Sequence, residues 1–212
     1  MFDYRNPDEI REFDDALGVV KYSFFGDADD SEAALHGAIV WHLSKVLAQE
    51  YDGGTIRPEV LPGLTRRQID RYEFFGPRFD PDRDALIRLG SVTLATGQVL
   101  LNPTYDELGD AQIVDQHGLF EEPPSYTYAF TQPIHPLQLS RPQTQDLFRR
   151  IARCFIPAEP TEVILDWSGM QLRDLSVHFE AGTETAYWGA YLYTIFDGAS
   201  RQLTVISAST GP

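Results

Sequence analysis

Carboxylates and imidazoles are the groups of this chain best suited to chemistry. Its five histidines, His36, His42, His117, His135 and His178, include no pair at a metal-ligand spacing such as i, i+4 on a helix. His36 and His42, six apart, leave a helix in different directions. Asp166 and His178 fall near the ends of two expected strands, and a long connection can carry His117 towards them. A carboxylate and an imidazole serve together as general base and acid, the carboxylate also orienting the ring. Asp166, His178 and His117 are therefore the candidate catalytic groups of a small enzyme that needs no cofactor. No spacing among them demands that chemistry.

The remaining motifs argue against other chemistries. Asp80-x-Asp82-x-Asp84 begins like an EF-hand loop, but Ala85 stands where glycine is needed and Ser91 where glutamate closes the site. Asp80 as a helix cap explains the same residues. Asp27, Asp29, Asp30 and Glu32 read as a solvated, helix-capping acidic loop, since no glycine turn accompanies them. No metal site and no cofactor are expected. Cys154 is the one cysteine, so it has no disulfide partner within the chain, and it falls on the apolar side of a helix marked by Leu147 and Ile151, where an inert thiol is expected. Trp167-Ser168-Gly169 follows a strand, but Asp166 sits where a nucleophile elbow requires glycine.

Charge says more about partners than about catalysis. The formal net charge is -15, from 17 basic and 32 acidic residues. Nucleic acid and acidic membrane surfaces are disfavoured, because both need a concentrated basic face. Solubility is the ordinary meaning of such a charge. From Leu89 through Ser140 there is no lysine or arginine, where the overall composition would supply roughly four. The same stretch holds Tyr105, Asp106, Glu107, Asp110, Asp115, Phe120, Glu121 and Glu122, with Tyr126 and Tyr128 beyond. Acids that steer and aromatic rings that anchor make a surface for a basic protein. These eight residues are the candidate partner-binding set of an inhibitor or immunity-type protein that neutralises a basic partner. Exposed aromatics would serve a homodimer face equally well.

The elements that must carry these residues are legible in outline. Asn6, Pro7 and Glu9 open a helix that runs to about Leu17, followed by a strand over Val19 to Phe25. Leu35, Ile39, Leu43, Val46 and Leu47 recur at three- and four-residue steps and mark a helix over Ser31 to Tyr51, with Asp30 as its cap. Short helices are expected from Thr65 to Phe75 and after Asp80. Ser91 to Leu94 and Gln98 to Leu101 flank Thr96-Gly97 as a hairpin. The connection from Asn102 to Ser125 is too long for an ordinary loop. Tyr126 to Thr131 reads as a strand, and Ser140 to Gln143 as a capping box before a helix. Val163 to Trp167, Leu175 to Phe179, Tyr187 to Phe196 and Gln202 to Ser207 read as strands, the last two joined by Asp197-Gly198-Ala199-Ser200.

Tyr187 to Phe196 is apolar on both alternating faces, so it should be covered on both sides. The expected fold is α+β: a largely antiparallel sheet, helices packed mainly on one face, and a single core. One domain over residues 1–212 is expected, helix-rich over 1–90 and strand-rich over 91–212. A chain of this length removes roughly 70% of its unfolded surface from water, and 42% hydrophobic residues suffice for that. The opening Met1-Phe2-Asp3-Tyr4-Arg5 has no basic n-region leading into an apolar run, and no apolar stretch approaches the ~20 residues of a membrane helix. A cytoplasmic location is expected, and the preference for arginine over lysine leans towards a bacterial source.

Overall fold

The computed structural model describes residues 3–5, 7–50, 54–117, 125–133, 135–180 and 189–209. Chain order runs β1 (Asp3–Arg5), α1 (Asp8–Asp15), β2 (Lys21–Gly26), α2 (Glu32–Glu50), a 3-10 turn at Pro58–Gly63, β3 (Arg67–Ile69) and α3 (Arg71–Phe75). It continues through β4 (Phe79–Asp80), β5 (Ala85–Leu86), β6 (Ser91–Leu94), β7 (Val99–Leu101), α4 (Tyr105–Leu108), β8 (Ile113–His117), α5 (Tyr126–Thr131) and α6 (Arg141–Arg153). Last come β9 (Glu162–Asp166), α7 (Leu172–Leu175), a second 3-10 turn at Val177–Phe179, β10 (Ala190–Asp197) and β11 (Gln202–Ser209).

Among the described residues the main sheet has six strands in the order β1-β2-β11-β10-β9-β3, antiparallel at every pairing. The β10–β11 hairpin forms its middle. Asp197 closes that hairpin by accepting from the Ala199 and Ser200 backbone N–H groups and from the Ser200 hydroxyl, as an Asx turn does. Tyr191, Tyr193 and Ile195 face one cluster of buried side chains, while Ala190 and Leu192 face another. The strand is covered on both sides, as its apolar sequence requires.

Most helices lie on the first face. Phe13 of α1, Phe74 and Phe75 of α3, Tyr126 and Phe130 of α5, and Leu147, Phe148 and Ile151 of α6 interlock there. Phe74 is wholly buried, stacks on Tyr126 at 4.8 Å and meets Tyr193 edge-on at 5.1 Å. Truncating such a ring to alanine costs about 3–5 kcal/mol, because it removes burial and leaves a cavity. The second face is covered by α2 through Leu35, Ala38, Ile39 and Leu43, with Trp167, Leu172, Leu175 and Phe179 alongside. A small sheet, β7-β6-β8, stands apart and closes over its own cluster of Val92, Leu94 and Leu108.

Local chemistry accounts for the elements that sequence periodicity misreads. Tyr126 to Thr131 is a helix and not a strand: the Ser125 side chain caps it by accepting from the Tyr128 N–H, and its aromatics pack inward at helical spacing. Leu175 to Phe179 is likewise a helix end and a 3-10 turn. The expected helix from Thr65 divides into β3 and α3, with Asp70 as the cap of α3. Asp80 caps no helix; its carboxylate accepts from the Asp82 and Arg83 N–H groups in the turn between β4 and β5. At α2 the capping group is Ser31, whose hydroxyl accepts from the Ala34 N–H, while Asp29 accepts from the Ser31 N–H.

Candidate functional site

As far as residue 117, the connection that follows residue 101 is folded. Thr104 and Glu107 form a capping box that starts α4, and β8 then returns antiparallel to β6. Among the described residues of this stretch, the acids and aromatics expected to share one surface are divided between core, ion pairs and solvent. Tyr105 is buried in the main core. Asp106 pairs with Arg149 at 3.0 Å. Glu107 accepts from the Thr104 N–H at 2.7 Å and meets Arg83 at 3.2 Å, and that backbone hydrogen bond leads the causes holding its carboxyl below the usual range. The acids lack cations close in sequence, but α6 and the β4–β5 turn supply them. Asp110 and Asp115 are exposed. Phe120, Glu121 and Glu122 lie outside the described residues.

What survives as a surface is the outer face of the small sheet. Alternation along β6 sends Val92 and Leu94 inward and Ser91 and Thr93 outward. The register sets Thr93 between Val99 and Asp115, and Ser91 between Leu101 and His117. The outer face therefore carries two apolar side chains along β7 and an acid and an imidazole along β8. Val99 is 62% exposed and Leu101 76%. A bulge opposite Thr93 and Leu94 turns Val114 outward as well, at 57%. Asp115 and His117 contact each other at 2.6 Å. Two cations flank the small sheet and are engaged with it: Arg88 donates to Gln116, and Arg141 to the carbonyls of Gly109 and Ala111.

The acid–base set is not assembled. Asp166 alternates with Leu165 and so shares the face of Ile164, which belongs to the first cluster. His178 approaches Ser207, and Ser207 shares the opposite face with Val205. The main sheet separates the two groups, and His117 sits on the small sheet. Asp166 instead accepts from the Ser168 N–H in the turn after β9.

A polar network that the sequence did not reveal occupies the second face. Ser23 Oγ and His42 Nδ1 share a hydrogen bond of 2.8 Å, and His42 Nε2 reaches Ser207 Oγ at 2.8 Å. All four residues, His178 included, are buried. Burial above all, then neighbouring positive charge, holds the His42 pKa down to about 3 and that of His178 to about 4. Both imidazoles are neutral at ordinary pH, and the network ties α2 to β2, β11 and the second 3-10 turn. The residues involved lie far apart in sequence and carry no motif, so only the fold brings them together.

Among the described residues no three of histidine, cysteine, aspartate and glutamate gather as a metal site, and no helix is long and apolar enough to cross a membrane. Set against family models, curated proteins and solved structures, the chain matches none of them.

Proposed function

We propose that this chain is a binding protein that captures a basic protein partner, in the manner of an inhibitor or immunity protein, through the outer face of its small sheet. One observation carries the reading: Val99 and Leu101 stand largely exposed on the same sheet face as Asp115. Apolar side chains in water beside an acid are what an interface core and its steering charge look like before a partner arrives. The absence of lysine and arginine from Leu89 to Ser140, in a chain of net charge -15, supports a basic partner over an acidic one. β7 and β8 also lie at the two ends of the small sheet's strand order, where an added strand can pair.

The test compares the full chain with a V99S/L101S variant, first as baits for crosslinking at low salt, then in association kinetics with the purified captured protein. The reading expects a basic partner whose association slows as salt rises and whose affinity falls at least about tenfold for the variant. A D110N/D115N variant should flatten the salt dependence. An acidic partner, or equal binding by wild type and V99S/L101S, would overturn the proposal. Self-association of the wild type that the variant abolishes would make the face a homodimer interface instead, and would also overturn it.

A further inference from the structure

A cleft of about 360 Å³ opens where α3, the β4–β5 turn and the last turns of α6 meet. It lies apart from the outer face of the small sheet, and no residue of that face lines it. Its floor is apolar: Phe75 and Phe79 lie with ring centroids 4.5 Å apart, and Ile156 sits beside them. Tyr72 stands at the mouth with 67% of its surface exposed, a large aromatic area to leave in water.

Three arginines line the same cleft in a chain that is otherwise strongly acidic. Two are committed to the fold. Arg71 holds Glu162 and donates to the carbonyls of Pro157 and Glu159, while Arg149 donates to the Asp84 carbonyl and to Asp106. Arg153 differs. Its side chain is 72% exposed, and among the described residues its one ionic neighbour is Asp84 at 3.9 Å, beyond hydrogen-bonding distance. The planar guanidinium fork, whose geometry suits a carboxylate, thus lines the cleft with no hydrogen-bonded acceptor among the described residues.

We infer that this cleft binds a small aromatic carboxylate, its ring lying on Phe79 and Ile156 beneath Tyr72 and its carboxylate taken by Arg153. The volume falls near the lower end of the ~300–1,000 Å³ of small-molecule sites, which suits one or two fused rings. Asp84 is the acid that lines the cleft, so it tunes affinity by repelling the incoming anion and by competing for Arg153.

Indole-3-acetate, its neutral analogue indole-3-acetamide, and inorganic phosphate distinguish the components in amide correlation spectra of the full chain. Indole-3-acetate should shift the Tyr72, Gly76 and Arg153 amides, with the acetamide binding about fivefold more weakly, as expected for an exposed charge-assisted pair. R153Q should weaken indole-3-acetate by a similar factor, and D84N should tighten it; both positions are exposed, and an unchanged melting temperature verifies their folds. No shift at those amides, equal binding of acid and amide, or an unchanged affinity in R153Q would overturn the inference. Phosphate reproducing the same shifts at the same concentration would reduce the site to a plain anion patch and overturn the aromatic assignment.

Discussion

His42 and His178 meet at one hydroxyl: the Nε2 atom of each lies near Ser207 Oγ, at 2.8 and 3.3 Å. Two imidazoles held this way in a buried face favour the neutral form, since a proton on either would be desolvated and would face Lys21, and one on His42 would also face the His178 ring.

This arrangement makes stability fall in mild acid. The folded pKa values of about 3 and about 4 lie below the 6.5 of a free imidazole, so the unfolded chain binds two more protons than the folded one in the window between. The contribution is fully present above 6.5 and is lost as pH drops towards 4, with a slope approaching about 3 kcal/mol per pH unit. Urea unfolding across that window should record the loss, and H42Q should remove roughly half of the slope. A flat profile in the wild type would count against the buried network.

Arg71 and Glu162 tie α3 to the start of β9, with the Glu162 side chain only 3% exposed and that of Arg71 32%. R71M strands the buried carboxylate and should destabilise the fold by about 2 kcal/mol, discounted from a fully buried pair for the solvent that reaches Arg71. Replacing both residues by methionine should restore most of that loss, which a denaturation midpoint series will read.

Gly76 ends α3 at φ +75°, and a Cβ there would stand 2.4 Å from Ser125 Cβ and Oγ. G76A therefore forces both a left-handed alanine and a displaced cap for α5. A cost of about 2 kcal/mol is expected, measured as a fall in melting temperature.

Cys154 is half-buried at the C-terminal end of α6, where its thiol donates to the Arg150 carbonyl. Burial chiefly, with Glu9 adding to it and Arg150 opposing, pushes its pKa up to about 11. Its thiolate fraction at neutral pH should be about a hundredfold below that of an ordinary thiol, and alkylation by iodoacetamide correspondingly slower in the folded chain than in urea.

Elements whose signals are local were legible in the sequence. The reciprocal hydrogen bonds of Ser140 and Gln143 lie where the capping-box spacing puts them, and the Leu35, Ile39, Leu43 stripe faces the sheet. Tyr126 to Thr131 failed because aromatic content favours strands only when burial does not decide, and here four surrounding elements bury those rings in a helix. The ion pairs within the candidate surface were hidden for a different reason. Whether Asp106 is free or paired depends on Arg149, placed beside it by the packing of α4 on α6, and no local pattern reports an ion pair that spans such a distance in sequence.

The place of β11 in the main sheet has a consequence for biogenesis. β2 pairs with β1 and β11, so the second ladder of Lys21 to Phe25 is completed only by Leu203 to Ser207, far along the sequence. A nascent chain emerging from the ribosome would hold Phe24 and Phe25 without that neighbour until Leu203 to Ser207 had followed, about 180 residues later. Such long-range pairing slows folding and prolongs the exposure of sticky edges. The protein is therefore expected to lean on chaperones during translation more than an equally long helical bundle would.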